Sequence, residues 1–77
     1  MITLSLNSLV PGQQARVRAL NTTGDMRRRL QDIGLTPGTQ VTCYQKSPGG
    51  DPMAFNIRGA IIALRCEDSA QILTELL

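Results

Sequence analysis

The sequence predicts a mainly β fold: a small, strongly bent β-barrel with one inserted α-helix and a short C-terminal helical turn. Three observations predict it. Apolar and polar residues alternate with period two in several short runs, and Pro-Gly and Gly-Gly breaks separate those runs. A helical period with clear stop signals is confined to one segment, residues 24–39. The chain has 77 residues, which suits a single domain over residues 1–77.

Taken in order, Leu4, Leu6, Leu9 and Val10 are apolar without a sustained period, so Leu6–Val10 is expected to be a short turn or helical segment laid on the core. Val10-Pro11-Gly12-Gln13 is a turn signal. In Gln14–Leu20, Ala15, Val17 and Ala19 alternate with Arg16 and Arg18, as in a half-buried strand. Asn21–Gly24 is loop composition. In the helix that follows, Met26, Leu30 and Ile33 fall at i, i+4 and i+7 and share one face. Thr23 is placed to supply an N-cap oxygen, and Asp25 puts a negative charge in the first turn, where the helix dipole favours it. Gly34 stands where a left-handed residue ends a helix, and Leu35 can return over that end. Thr36-Pro37-Gly38-Thr39 fits a type II turn into a second strand, Thr39–Lys46, with Val41 and Cys43 on one face and Thr42 and Tyr44 on the other.

Ser47–Pro52 is too polar and broken to be other than a loop. Met53–Arg58 alternates Met53, Phe55 and Ile57 against Ala54, Asn56 and Arg58. Gly59 is a tight reversal or a bulge, and Ala60–Arg65, with Ile62 and Leu64 on one face, completes a hairpin. Glu67-Asp68-Ser69 opens a helix with its acids at the favourable end. The last residues fit either a helix or a closing strand; a helical turn over Glu67–Ile72 followed by a final strand is the preferred reading.

Composition removes several function classes. Eight basic against six acidic residues leave a net charge of +2, too small to argue for nucleic acid by itself. Without histidine, Cys–His and Ser–His nucleophiles are impossible, and the acids are single except Glu67-Asp68, so no enzyme is expected. The two cysteines, Cys43 and Cys66, form no CxxC pair and offer two thiolates where structural zinc takes four ligands; no metal or other cofactor is expected. They read as reduced, core-packed thiols. Residues 1–4 lack the basic region and apolar run of a secretory signal, and no apolar stretch nears the roughly 20 residues that span a bilayer. The expectation is a soluble, cytoplasmic domain.

Two stretches are candidates for contact with a partner. Arg27-Arg28-Arg29 is either a solvated helix face, paired with Asp25 and Asp32, or a docking patch for an acidic surface. Consecutive helix residues fan out by about 200°, so at most two of the three arginines share a surface. Gly49-Gly50-Asp51-Pro52 is Gly-rich but lacks the lysine and following helix of a phosphate cradle, leaving a permissive connection or a shaped contact loop.

RRRLQDIGLTPGTQV at 27–41, SPGGDPMAFNIRG at 47–59 and IALRCEDSAQI at 62–72, in that order and preceded by LVPGQQARV at 9–17, resemble the FeoA domain of bacterial ferrous-iron uptake. The resemblance covers nearly the whole chain; one departure is Gly49, where the family usually carries an apolar residue before GDP. It implies an SH3-like barrel and a cytosolic accessory protein. Such a protein would bind the cytosolic region of FeoB, a ferrous-iron permease with a GTP-hydrolysing domain, and modulate its transport or GTP turnover. The contact residues would be Arg27, Arg28, Arg29 and Asp32, with the loop Gly49, Gly50, Asp51 and Pro52. An arginine supplied in trans can promote phosphoryl transfer, but a rigid helix face suits docking better than chemistry. The alternative is a small-barrel nucleic-acid-binding module, for which the two aromatic residues, Tyr44 and Phe55, are a thin provision. No nucleic-acid partner and no membrane insertion are expected.

Overall fold

The computed structural model describes residues 2–77. The first strand, β1 (Thr3–Ser5), runs into a single 3-10 turn, Leu6–Ser8. Then follow β2 (Gln14–Leu20), helix α1 (Gly24–Asp32), β3 (Gln40–Lys46), β4 (Met53–Ile57), β5 (Ala60–Leu64), the short helix α2 (Cys66–Ser69) and β6 (Ile72–Leu76). All six strands join one antiparallel sheet in the order β1-β6-β2-β3-β4-β5.

The turns form where local chemistry places them. Gln13 donates to the Val10 carbonyl across Pro11-Gly12, and Thr39 donates to Thr36 across Pro37-Gly38. Both turns are stitched into the sheet, Gly12 donating to the Cys43 carbonyl and Gly38 to that of Val17. The β4–β5 hairpin closes through two residues, Arg58 and Gly59, both at positive φ, between the paired residues Ile57 and Ala60. That is the mirror-image turn whose twist matches its strands, and the Asn56 carboxamide oxygen accepts from the Gly59 amide. Gly59 is therefore a tight reversal.

Alternation fills the core. Ala15, Val17, Val41, Cys43, Met53, Phe55 and Ile57 are all buried, joined by Leu6, Leu9, Leu30 and Leu35 from outside the sheet. Two bulges bend the sheet around this cluster. The β2–β6 register shifts between Val17 and Ala19, and the β3–β4 register between Cys43 and Gln45. An extra residue in one strand sharpens its bend and reverses the alternation beyond it. So Leu20, and not Ala19 as the sequence pattern suggests, holds the last core position of β2. In β6, Ile72 and Thr74 face inward, and the buried Thr74 hydroxyl is satisfied by donating to the Leu4 carbonyl.

Four expectations are corrected. The sheet is bent but not closed into a barrel: β1 and β5 are its two edges and do not pair. The physical reason is what stands between them. The chain leaves β1 as a 3-10 turn and leaves β5 as α2, and these two turns lie against each other. There are six strands, one more than the five runs identified in the sequence, because β1 is three residues long and shows no period of its own. Helix α2 covers Cys66–Ser69, and Ile72 opens β6. Thr23 occupies the N-cap position in extended geometry, but its side chain makes no capping bond.

Candidate docking surface

Helix α1 is placed by its C-terminal end. Leu35 donates to the Leu30 carbonyl at 2.9 Å and Gly34 to that of Gln31 at 3.0 Å, the paired bonds of a Schellman motif. Gly34, at φ +101°, makes the required left-handed step. Leu30 and Leu35 are both buried, so the motif is sealed by its apolar contact. Met26 and Ile33, on either side of Leu30, are only partly buried. Their outer halves face Ile62 and Leu64 of β5 across a groove of about 230 Å³, with Arg29, Arg65 and Asp68 at its rim.

The three arginines separate by role. Arg27 is anchored: its Nη1 donates to the Leu20 carbonyl at 2.6 Å and pins the first turn of α1 to the end of β2. Arg29 lines the groove, and Arg28 and Asp32 are exposed. Among the described residues, no ion pair joins any of these arginines to Asp25 or Asp32. The pairs present are Arg18–Glu75 at 3.2 Å and Arg65 with Glu67 and Asp68, both at 3.4 Å. Arg65 is thus paired in place, whereas Arg29, among the described residues, forms no ion pair, although Asp68 lines the same groove.

The 49–52 loop does not line this groove. It is tied to α2 instead. Asp51 Oδ1 accepts from the Cys66 amide at 3.0 Å, and the Gly50 carbonyl accepts from Cys66 Sγ at 3.2 Å. The first amides of a helix have no partner within it, so Asp51 acts as the missing cap of α2 from a distant loop. Gly49 and Pro52 are exposed. The loop patch is therefore held against α2, outside the lining of the groove.

Neither thiol is activated. Burial pushes the Cys43 thiol above its ordinary value, partly offset by Lys46. Desolvation first, and then the charge and hydrogen bonding of Asp51, raise that of Cys66. Both cysteines are free. Among the described residues no three of His, Cys, Asp and Glu come together as a metal site, and no helix is long and apolar enough to cross a membrane.

Sequence reasoning missed the β5 wall of the groove. Ile62 and Leu64 were legible as one face of a strand; that this strand lies at an edge beside α1 follows from strand order, which no local signal encodes.

The FeoA domain family profile matches residues 4–76. A curated relative, the Fe(2+) transport protein A/Fe(2+) transporter FeoB fusion protein of Porphyromonas gingivalis, is 32% identical over 74 residues, which is 96% of this chain and 9% of that protein. The chain thus spans about a tenth of the curated relative it matches. The solution structure of iron(II) transport protein A from Clostridium thermocellum superposes with a TM-score of 0.93 at 32% identity, covering 96% of this chain and 46% of that one. FeoA of Stenotrophomonas maltophilia, solved with zinc and described as a prokaryotic SH3 domain protein, shares the fold at a TM-score of 0.84 and 24% identity over 94% of this chain and 89% of that one. The sheet built above, with its single helix between β2 and β3, is thus an SH3-like fold, and the chain belongs to the FeoA family, which is associated with ferrous iron transport.

Proposed function

We propose that this chain is a single FeoA-like domain, residues 1–77, that works in the cytoplasm as a non-enzymatic accessory to ferrous iron uptake. It binds the cytosolic region of FeoB and modulates iron transport or GTP turnover there. The observation that carries this reading is the P. gingivalis relative, in which the equivalent of this chain and FeoB are one polypeptide. Two functions joined covalently in one organism act at high effective concentration; where they are separate chains, a docking surface must supply the encounter.

The outer face of α1 suits that surface. Arg28, Arg29 and Asp32 stand exposed on a helix whose inner face is packed on the core, so the backbone that presents them needs no ordering on binding. Met26 and Ile33, partly buried next to Arg29, supply an apolar part to the patch at the groove. The loop Gly49–Pro52 contributes through Gly49 and Pro52, with Gly50 and Asp51 holding its shape from α2.

The test is a calorimetric titration of this chain against the soluble cytosolic region of FeoB. Binding at micromolar concentration, weakened by Arg28→Glu or Arg29→Glu, is expected; no heat at high micromolar concentration would remove the reading. Single-turnover GTP hydrolysis with and without the chain then separates docking from an effect on turnover.

A further inference from the structure

The β5 edge differs from the β1 edge. Strand β1 is three residues long and the chain turns away at Leu6, so it offers little to pair with. Strand β5 has five residues, AIIAL, with no proline, no lysine and no inward-pointing charge, the features that usually guard an edge. The two-residue turn fixes which backbone groups are open. Ile57 and Ala60 close the hairpin as a hydrogen-bonded pair, so Phe55–Ile62 and Met53–Leu64 are hydrogen-bonded pairs too. Ile61 and Ala63 alternate with these, and their amides and carbonyls point away from β4. β4 is the sole neighbour of β5 in the sheet, and these four groups have no partner among the described residues.

The side chains complete the picture. Ile61 is 51% exposed on the outer face. On the inner face, Ile62 and Leu64 form one wall of the groove and Met26, Leu30 and Ile33 the other. A strand added to β5 would direct every second side chain into this space. At about 230 Å³ the groove is smaller than the roughly 300–1,000 Å³ of a small-molecule site, and it suits side chains rather than a whole ligand. Arg29 stands at the rim and, among the described residues, forms no ion pair, the Asp68 carboxylate on the same rim being held by Arg65.

We propose that the open edge of β5 takes up an extended segment of a partner protein as a further strand, apolar at alternate positions and carrying a carboxylate that meets Arg29. Main-chain bonds to Ile61 and Ala63 supply register, and the groove supplies selectivity. Charge argues against a second copy as the occupant. AIIAL, the strand a second copy would lay down, brings no acid to Arg29. The inference rests on the docking reading above and gives it a mode.

Amide hydrogen exchange on the intact chain tests it in three settings: alone, with the soluble cytosolic region of FeoB, and with a short synthetic peptide alternating Val and Thr and ending in Asp. Alone, the Ile61 and Ala63 amides should exchange without protection while those of Ile62 and Leu64 are protected. With FeoB or the peptide, the two open amides should slow by about tenfold or more. An Asp→Lys peptide should bind about tenfold more weakly, as should the Asp peptide to Ala63→Pro, which removes one open amide at an edge position that tolerates proline. Binding of FeoB with the two amides still unprotected would overturn strand addition and leave docking standing. Protection by the peptide without FeoB binding would keep the edge site and remove FeoB as its partner. Protection that rises with the chain's own concentration would name a second copy as occupant and overturn the proposal, and the absence of both FeoB binding and protection in every setting would overturn both readings.

Discussion

The side chain of Arg58 lies across Gly34: a Cβ on residue 34 would stand 2.8 Å from Arg58 Cδ and 3.0 Å from its Nε. The β4–β5 hairpin turn therefore rests on the C-terminal end of α1, and a guanidinium comes to the helix end whose dipole is negative. Gly34 serves two needs at one position, a φ of +101° and the room for that arginine stem.

Gly34→Ala is expected to destabilise the fold by about 1–3 kcal/mol, since a Cβ is strained at that φ and also meets Arg58. Urea denaturation measures the loss. In an Arg58→Asn background, where the contact is gone and asparagine still tolerates the turn, the same substitution should cost less, leaving only the backbone share. Equal costs in both backgrounds would mean the stem gives way freely.

Arg27 should behave as part of the scaffold. Its charged hydrogen bond to the Leu20 carbonyl is short, 2.6 Å, and partly buried. Arg27→Ala should cost about 1–2 kcal/mol of stability, while Arg28→Ala should stay within about 0.5 kcal/mol, as surface changes usually do. Thermal melts of the two variants, side by side, check the division. A loss of FeoB affinity in Arg27→Ala should follow its loss of fold, not precede it.

Local chemistry made much of this legible before any coordinates. Pro11-Gly12, Pro37-Gly38 and Gly59 announce turns because few residues accept their geometry, and Gly34-Leu35 announces a helix end for the same reason. The stripe Met26, Leu30, Ile33 announces both the core contact and the apolar part of the candidate surface. What stayed hidden is non-local. Arg18 and Tyr44 sit at bulges that only their partner strands reveal. β1 is a strand because β6 is beside it, not through any pattern in Thr3–Ser5. Arg27 and Asp51 read as surface charges, yet each satisfies a backbone group far along the chain or across a loop. The groove needs α1 and β5 together, and their adjacency is a property of strand order.

Asp51 is expected to control Cys66 in two ways. Asp51→Ala removes the acceptor of the Cys66 amide and should cost about 1 kcal/mol, as loss of a helix cap does. It also removes a negative charge and a hydrogen bond that hold the thiol proton on, so the Cys66 pKa should fall toward its ordinary value. More thiolate at a given pH means faster alkylation. Iodoacetamide labelling followed by mass spectrometry should therefore run faster at Cys66 in Asp51→Ala than in the parent chain. Asp51→Asn should give an intermediate rate, since it keeps an acceptor without the charge. A slower or unchanged rate would show that the carboxylate does not act on this thiol.

Cys43 makes stability depend on pH in the alkaline range. Its thiol is buried among core side chains, and burial raises its folded pKa above the ordinary value of 9.0. Below about 9 both folded and unfolded states keep the proton, and the contribution of this group is constant. As pH rises from about 9 toward the folded value, the unfolded chain ionises while the folded one does not. The unfolded state is then favoured, so stability falls with a slope of up to about 1.4 kcal/mol per pH unit from this group. Cys43→Val keeps the site apolar and removes the proton. Its stability, followed by urea denaturation between about pH 8 and 10.5, should decline less steeply than that of the parent chain. Parallel slopes would place the alkaline loss on Cys66 and the other titrating groups rather than on the core thiol.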